Sequence, residues 1–211
     1  MTNRKTHALL IHGILSNPLE MRYLGVQLEK LDIKVHYVFY PSVMKTLEEN
    51  TQPIKDKIQK IGPVDTLHLV AHSLGGLLLA HLFDQGFDMP PGRILTLGSP
   101  IKGSLTAKEL SKWPVTSELL SKAMPNALSG QGVPQWKTDR DWGMIAGTKN
   151  AGIGALIGGL PGKSDGTVLL DETYHPDQTA HMTVDKTHTG LLFSKGVAKL
   201  TANFLTTGAF E

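Results

Sequence analysis

The chain has 211 residues, 40% hydrophobic and 19% charged, with no cysteine and a formal net charge of +2. That length suits one α/β domain spanning 1–211 rather than two. A small, dispersed charge gives no footprint for nucleic acid, and the lack of cysteine excludes disulfides, thiolate metal sites and a cysteine nucleophile.

In chain order, six short β-prone apolar runs are read at His7–Ile11, Ile33–Phe39, Leu67–Ala71, Arg93–Leu97, Gly143–Gly147 and Ala180–Val184. Helical patterns separate most of them. Asn17-Pro18-Leu19-Glu20 predicts a helix start, with an N-cap, a proline at the first helical position and a glutamate closing a capping box. Met21, Leu24, Leu28 and Leu31 then follow one helical face. A second helix is expected over Lys45–Ile61 with Leu47, Ile54, Ile58 and Ile61 inward, and a third from Leu74 to about Phe87. Residues 101–142 are the least regular stretch, expected to hold short helices at Ser104–Lys112 and Thr116–Met124 and a loop at Gly130, Gly132 and Pro134. An excursion of that length is read as a small cap over a crevice, with Trp113, Trp136 and Trp142 forming the cap's own core. The last helix is expected to carry Phe193, Val197, Leu200 and Phe204 on one face.

Strands alternating with helices imply a doubly wound, mostly parallel six-stranded sheet, helices on both faces, in the order 2-1-3-4-5-6. In that order the loops after the first and third strands meet at the crevice where ligands bind. The first of these loops holds His12-Gly13-Ile14. The second holds Ser73, within Leu69-Val70-Ala71-His72-Ser73-Leu74-Gly75-Gly76. A serine between a buried strand and a buried helix, with Ala71 and Gly75 two positions either side, matches the nucleophile elbow G-x-S-x-G except at Ala71.

A serine hydroxyl needs a base, and the base needs a carboxylate that holds its tautomer. Of the histidines after Ser73, His81 lies too close in sequence, while His175 and His181 read as surface or core residues. His188, between the last strand and the last helix, is the candidate base. Asp165, in Ser164-Asp165-Gly166 after the fifth strand, is the candidate acid, ahead of Asp171, Glu172 and Asp177. The backbone N–H groups of Leu74 and Ile14 are the candidate oxyanion donors, with His12 bonded to backbone. Ile153, Leu156 and Ile157 are the candidate substrate-binding residues, in a stretch that reads equally well as a plain surface connection.

These motifs, with Gly98-Ser99-Pro100 and His188-Thr189-Gly190-Leu191-Leu192, resemble the bacterial α/β-hydrolase lipases and esterases and are similar to the GPI-inositol-deacylase-like group of that superfamily. The resemblance implies a compact α/β-hydrolase fold and serine-dependent hydrolysis of a carboxylic ester or lipid through an acyl-enzyme, without a cofactor. A thioesterase or acyltransferase using the same residues, and a non-catalytic binding protein of the same fold, are the alternatives. His175 and His181 are spaced too far apart for a helical ligand pair, so no metal is expected. A small-molecule substrate is the expected partner, with oligomeric state open. The apolar stretch Ala8–Ile11 is too short for a signal peptide, and Ala151–Gly162 is too short and glycine-rich to cross a bilayer. A cytoplasmic protein is therefore expected.

Overall fold

The computed structural model describes residues 6–114, 116–117, 120 and 136–211. The strands are β1 (Thr6–Ile11), β2 (Lys34–Val38), β3 (Thr66–His72), β4 (Ile94–Leu97), β5 (Trp142–Gly147) and β6 (Ala180–Val184). They form one six-stranded sheet in the order β2-β1-β3-β4-β5-β6, with every neighbouring pair parallel. Both the class and the strand order expected from the sequence are therefore observed, and each strand lies within two residues of its expected bounds.

The central strands are apolar on both faces because both are covered. Along β1, Leu9 and Ile11 point into one core with Leu67, Leu69 and Ala71 of β3, beneath α2 (Leu47–Ile61) and α3 (Leu74–Asp84). Ala8 and Leu10 point into the other with Val70 and Leu95, beneath α1 (Arg22–Glu29) and α5 (Lys195–Thr207). A short helix, α4 (Leu105–Leu110), is capped by Ser104, whose hydroxyl accepts the Ala107 N–H.

Three local departures have physical causes. The first concerns Asn17 and Glu20, where no capping box forms. Residues 17–22 instead make single turns, with the Glu20, Met21 and Arg22 N–H groups bonded three residues back, and the helix starts at Arg22. Glu20 is drawn elsewhere, to the Gly13 N–H. A capping box does close α2, where Thr46 and Glu49 exchange bonds of 3.2 and 2.9 Å. The second departure concerns Leu31 and Phe193, which are exposed because their helices end at Glu29 and begin at Lys195.

The third departure concerns the tryptophans. Trp142 lies within β5 and Trp136 stacks on it at 3.8 Å, both buried in the core beneath α3 rather than in a separate cap core. The Trp142 indole donates to Thr96 Oγ1 at 2.9 Å, satisfying its one polar atom inside the core. Trp113 is partly exposed. Of the helix expected over 116–124, only Thr116, Ser117 and Leu120 are described, and Gly130, Gly132 and Pro134 lie outside the described residues. No helix among the described residues is long and apolar enough to cross a membrane.

Candidate active site

β3 ends at His72 and α3 begins at Leu74, which leaves Ser73 alone in the turn with φ 52° and ψ −121°. A non-glycine residue at positive φ is strained, and such strain persists only where surrounding structure imposes it. Here the imposition is visible. The Ser73 N–H donates to the Leu97 carbonyl of β4 at 2.9 Å, and α3 is held close against the sheet. A Cβ on Gly75 would lie 2.8 Å from the His12 carbonyl oxygen and 2.9 Å from that of Ile11. One on Gly76 would meet Ser99 Cβ at 2.6 Å. Both obstacles sit on the sheet or its loops, so the turn is built around two glycines with no room for side chains.

Asp165 and His188 come together at the same end of the sheet. Asp165 Oδ2 lies 2.6 Å from His188 Nδ1, with the carboxylate 1% exposed and the histidine 8%. The other carboxylate oxygen, Oδ1, accepts the N–H groups of Thr167 and Val168 at 2.9 and 2.7 Å. Asp165 therefore both closes its own turn and holds the imidazole. The His188 N–H donates in turn to the Asp165 carbonyl at 2.9 Å. Gly98, at the end of β4, lies directly beneath the pair, since a Cβ there would be 3.0 Å from Asp165 Oδ2 and 3.1 Å from His188 Nδ1. The His188 ring also packs at 4.7 Å against that of His72, the residue before Ser73.

The other carboxylates are used differently. Glu172 accepts the N–H groups of Leu105 and Leu169, joining α4 to the segment after Asp165. Asp171 pairs with Lys102 at the surface, and Asp177 lies beside His175. His181 Nε2 is 2.9 Å from the Thr173 hydroxyl.

The loop after β1 is held from several sides. His12 is buried, with Nδ1 donating to the Gly13 carbonyl at 2.8 Å and Nε2 facing the Tyr40 N–H. Burial lowers its pKa, in keeping with a neutral ring. Tyr40 stacks on His12 and donates its hydroxyl to the His12 carbonyl at 2.7 Å. Ser42 accepts the Leu15 N–H at 3.0 Å. Between these tethered residues, the Ile14 N–H has no acceptor among the described residues, nor does the Leu74 N–H. Tyr40 and Ser42 escape sequence reasoning, because nothing in their local pattern points to a loop 26 or more residues earlier.

An apolar pocket of about 130 Å³ opens beside Ser73, lined by Ile14, Leu74, Pro100, Ala107, Leu110 and Val168 among others. Ile153 also lines it. Leu156 and Ile157 do not, and Leu156 is 64% exposed, because the 3-10 helix Ile153–Ile157 turns those side chains away from the pocket. Among the described residues no group of three or more His, Asp or Glu side chains is placed to hold a metal ion.

Glu20, missed as a site neighbour because its pattern read as a helix cap, accepts the Gly13 N–H at 3.1 Å and lies 3.5 Å from His72 Nδ1. Burial alone would raise its pKa. The His72 ring beside it outweighs that, aided by Ser16 and the Gly13 N–H, and holds it at about 2. A carboxyl with a folded pKa below its unfolded value stabilises the fold fully above roughly pH 5 and loses that contribution as pH falls towards 2. Glu20→Gln is therefore expected to flatten the decline of the urea midpoint between about pH 5 and pH 3. Parallel declines in variant and native protein would show that Glu20 is not held in this way.

No family model matches the sequence, and no curated protein sequence matches it. Solved structures do match. The chain is similar to the mature form of Bacillus licheniformis lipase BlEst2, with 18% identity, a TM-score of 0.71 and coverage of 98% of this chain and 93% of that one. It is similar to a lipase-esterase related protein from Clostridium acetobutylicum at 13% identity and TM-score 0.62, covering 96% of each chain. It is also similar to the NocB thioesterase domain from the nocardicin cluster at 16% identity and TM-score 0.58, covering 92% and 90%. These likenesses establish the α/β-hydrolase fold. The similarity to the GPI-inositol-deacylase-like group rests on the sequence motifs alone.

Proposed function

We propose that the protein is a serine hydrolase of carboxylic esters, with Ser73 as nucleophile, His188 as general base and acid, and Asp165 orienting His188. The observation that carries this reading is the buried 2.6 Å contact between Asp165 and His188, at the strand ends where Ser73 occupies its strained turn. With Nδ1 committed to the carboxylate, the Nε2 of His188 is the nitrogen available to a substrate or to Ser73. His72 is a poorer base, since its Nε2 already contacts the His188 carbonyl.

In this mechanism Ser73 Oγ attacks the ester carbonyl carbon while His188 Nε2 takes the hydroxyl proton. The oxyanion accepts from the N–H groups of Ile14 and Leu74, and the latter sits at the first turn of α3, where the helix dipole favours negative charge. Collapse breaks the carbon–oxygen bond to the alcohol, which leaves with the proton from His188. Water, deprotonated by the same imidazole, then releases the carboxylic acid and regenerates Ser73. The acyl chain occupies the apolar pocket, whose uncharged lining favours a hydrocarbon tail over a charged one. The structural neighbours named lipase, lipase-esterase and thioesterase support acyl chemistry on this fold. The test is turnover of p-nitrophenyl acyl esters by the native protein beside Ser73→Ala. Equal rates in the two would end this reading.

A further inference from the structure

We infer that Glu20 and His72 are positioning residues that lock the proposed oxyanion loop and the His188 loop onto the nucleophile turn, a role that rests on the catalytic reading above. Neither takes part in the proposed chemistry, yet together they touch all three loops that do. Glu20 Oε1 accepts the Gly13 N–H, one residue before the proposed donor Ile14. The same oxygen lies 3.5 Å from Nδ1 of His72, the residue before Ser73. The far side of that ring, Nε2, donates to the backbone carbonyl of His188 at 3.2 Å, a direction set by the carbonyl, which can only accept.

His188 is thereby gripped at both backbone groups. Its N–H is held by the Asp165 carbonyl and its C=O by His72. The Asp165 contact fixes the imidazole's tautomer and one end of the ring. The His72 contact fixes how far the backbone beneath that ring stands from β3. The buried imidazole packs between the Glu20 carboxylate and the His188 loop, and its Nε2 bond to the His188 carbonyl is one that an apolar ring of similar size would not reproduce.

Misplacing a reacting group by about 1 Å costs on the order of a hundredfold in rate. His72→Phe keeps the ring volume and removes the bond to the His188 carbonyl. It is expected to lower kcat by about ten- to a hundredfold. KM should stay nearly unchanged, because neither His72 nor Glu20 lines the apolar pocket. Glu20→Ala, which leaves the Gly13 N–H without its acceptor beside the proposed donor Ile14, is expected to lower kcat as well. His72→Gln is the rescue. A glutamine amide nitrogen can occupy the place of imidazole Nε2 and donate to the His188 carbonyl, so most of kcat should return.

All rates are taken per phosphonate-reactive serine, which removes any loss of folded protein from the comparison. Full kcat in His72→Phe, or equal losses in the Phe and Gln variants, would overturn the positioning role while leaving the hydrolase reading intact. A native protein with neither turnover nor phosphonate uptake would overturn the hydrolase reading, and the positioning role with it.

Discussion

Replacing Ser73 with alanine is expected to lower kcat for a short p-nitrophenyl ester by up to about a millionfold, the scale set by removal of a serine nucleophile from a triad. The size of the effect follows from what remains. Without Oγ no acyl-enzyme forms, and the Asp165–His188 pair, the pocket and the two N–H donors are left with only a directly attacking water to act on. Those residual groups sustain roughly a thousand- to ten-thousandfold over the uncatalysed rate. The fold should be indifferent to the change. Alanine and serine share the cost of positive φ at this turn, and the Ser73 backbone N–H keeps its bond to Leu97. A urea midpoint matching the native protein's, together with the lost turnover, would assign the effect to chemistry. Turnover within about tenfold of native would remove Ser73 from the reaction.

Asp165→Asn is expected to cost about ten-thousandfold in kcat with little change in stability, because the two carboxylate oxygens have separate tasks. Oδ1 accepts from Thr167 and Val168, and an asparagine carbonyl preserves that turn. Oδ2 faces His188 Nδ1, and there an amide NH2 presents a hydrogen instead of accepting one. The imidazole must then accept at Nδ1 and carry its proton on Nε2, the tautomer unable to take a proton from Ser73. Asp165→Ala separates the tasks from the other direction. It leaves the buried Val168 N–H, at roughly 1–3 kcal/mol, and the part-buried Thr167 N–H without acceptors, and should destabilise the protein as well as inactivate it. An Asn variant that keeps more than about a tenth of native kcat would show that this carboxylate does not govern the histidine.

Much of the architecture was legible in the sequence because buried parallel strands are written as short, near-continuous apolar runs bounded by turn residues, such as Ala8–Ile11 before His12-Gly13. Handedness of the crossovers then left few strand orders. The elbow was legible for a different reason. Serine among small residues between a strand and a helix states a local steric requirement, and Gly75 against the Ile11 and His12 carbonyls is that requirement realised.

What escaped were contacts made across long separations by residues with a plausible local alternative. Asn17-Pro18-Leu19-Glu20 satisfies a capping-box pattern, and nothing local says that Glu20 will prefer the Gly13 N–H. Trp136 and Trp142 flank an irregular stretch and so read as cap residues, whereas stacking places them beneath α3. Leu156 and Ile157 looked like pocket walls by their apolarity, yet a single turn of 3-10 helix points only Ile153 inward. His72 passed as one letter of the elbow motif, with no signal in the chain that its ring reaches the His188 carbonyl.

The most direct measurement is mapping of a fluorophosphonate adduct by peptide mass spectrometry on native and His188→Ala protein. One adduct per chain, on the peptide bearing Ser73 and nearly absent from the variant, is the predicted result. An adduct on another residue, or undiminished labelling without His188, would contradict it.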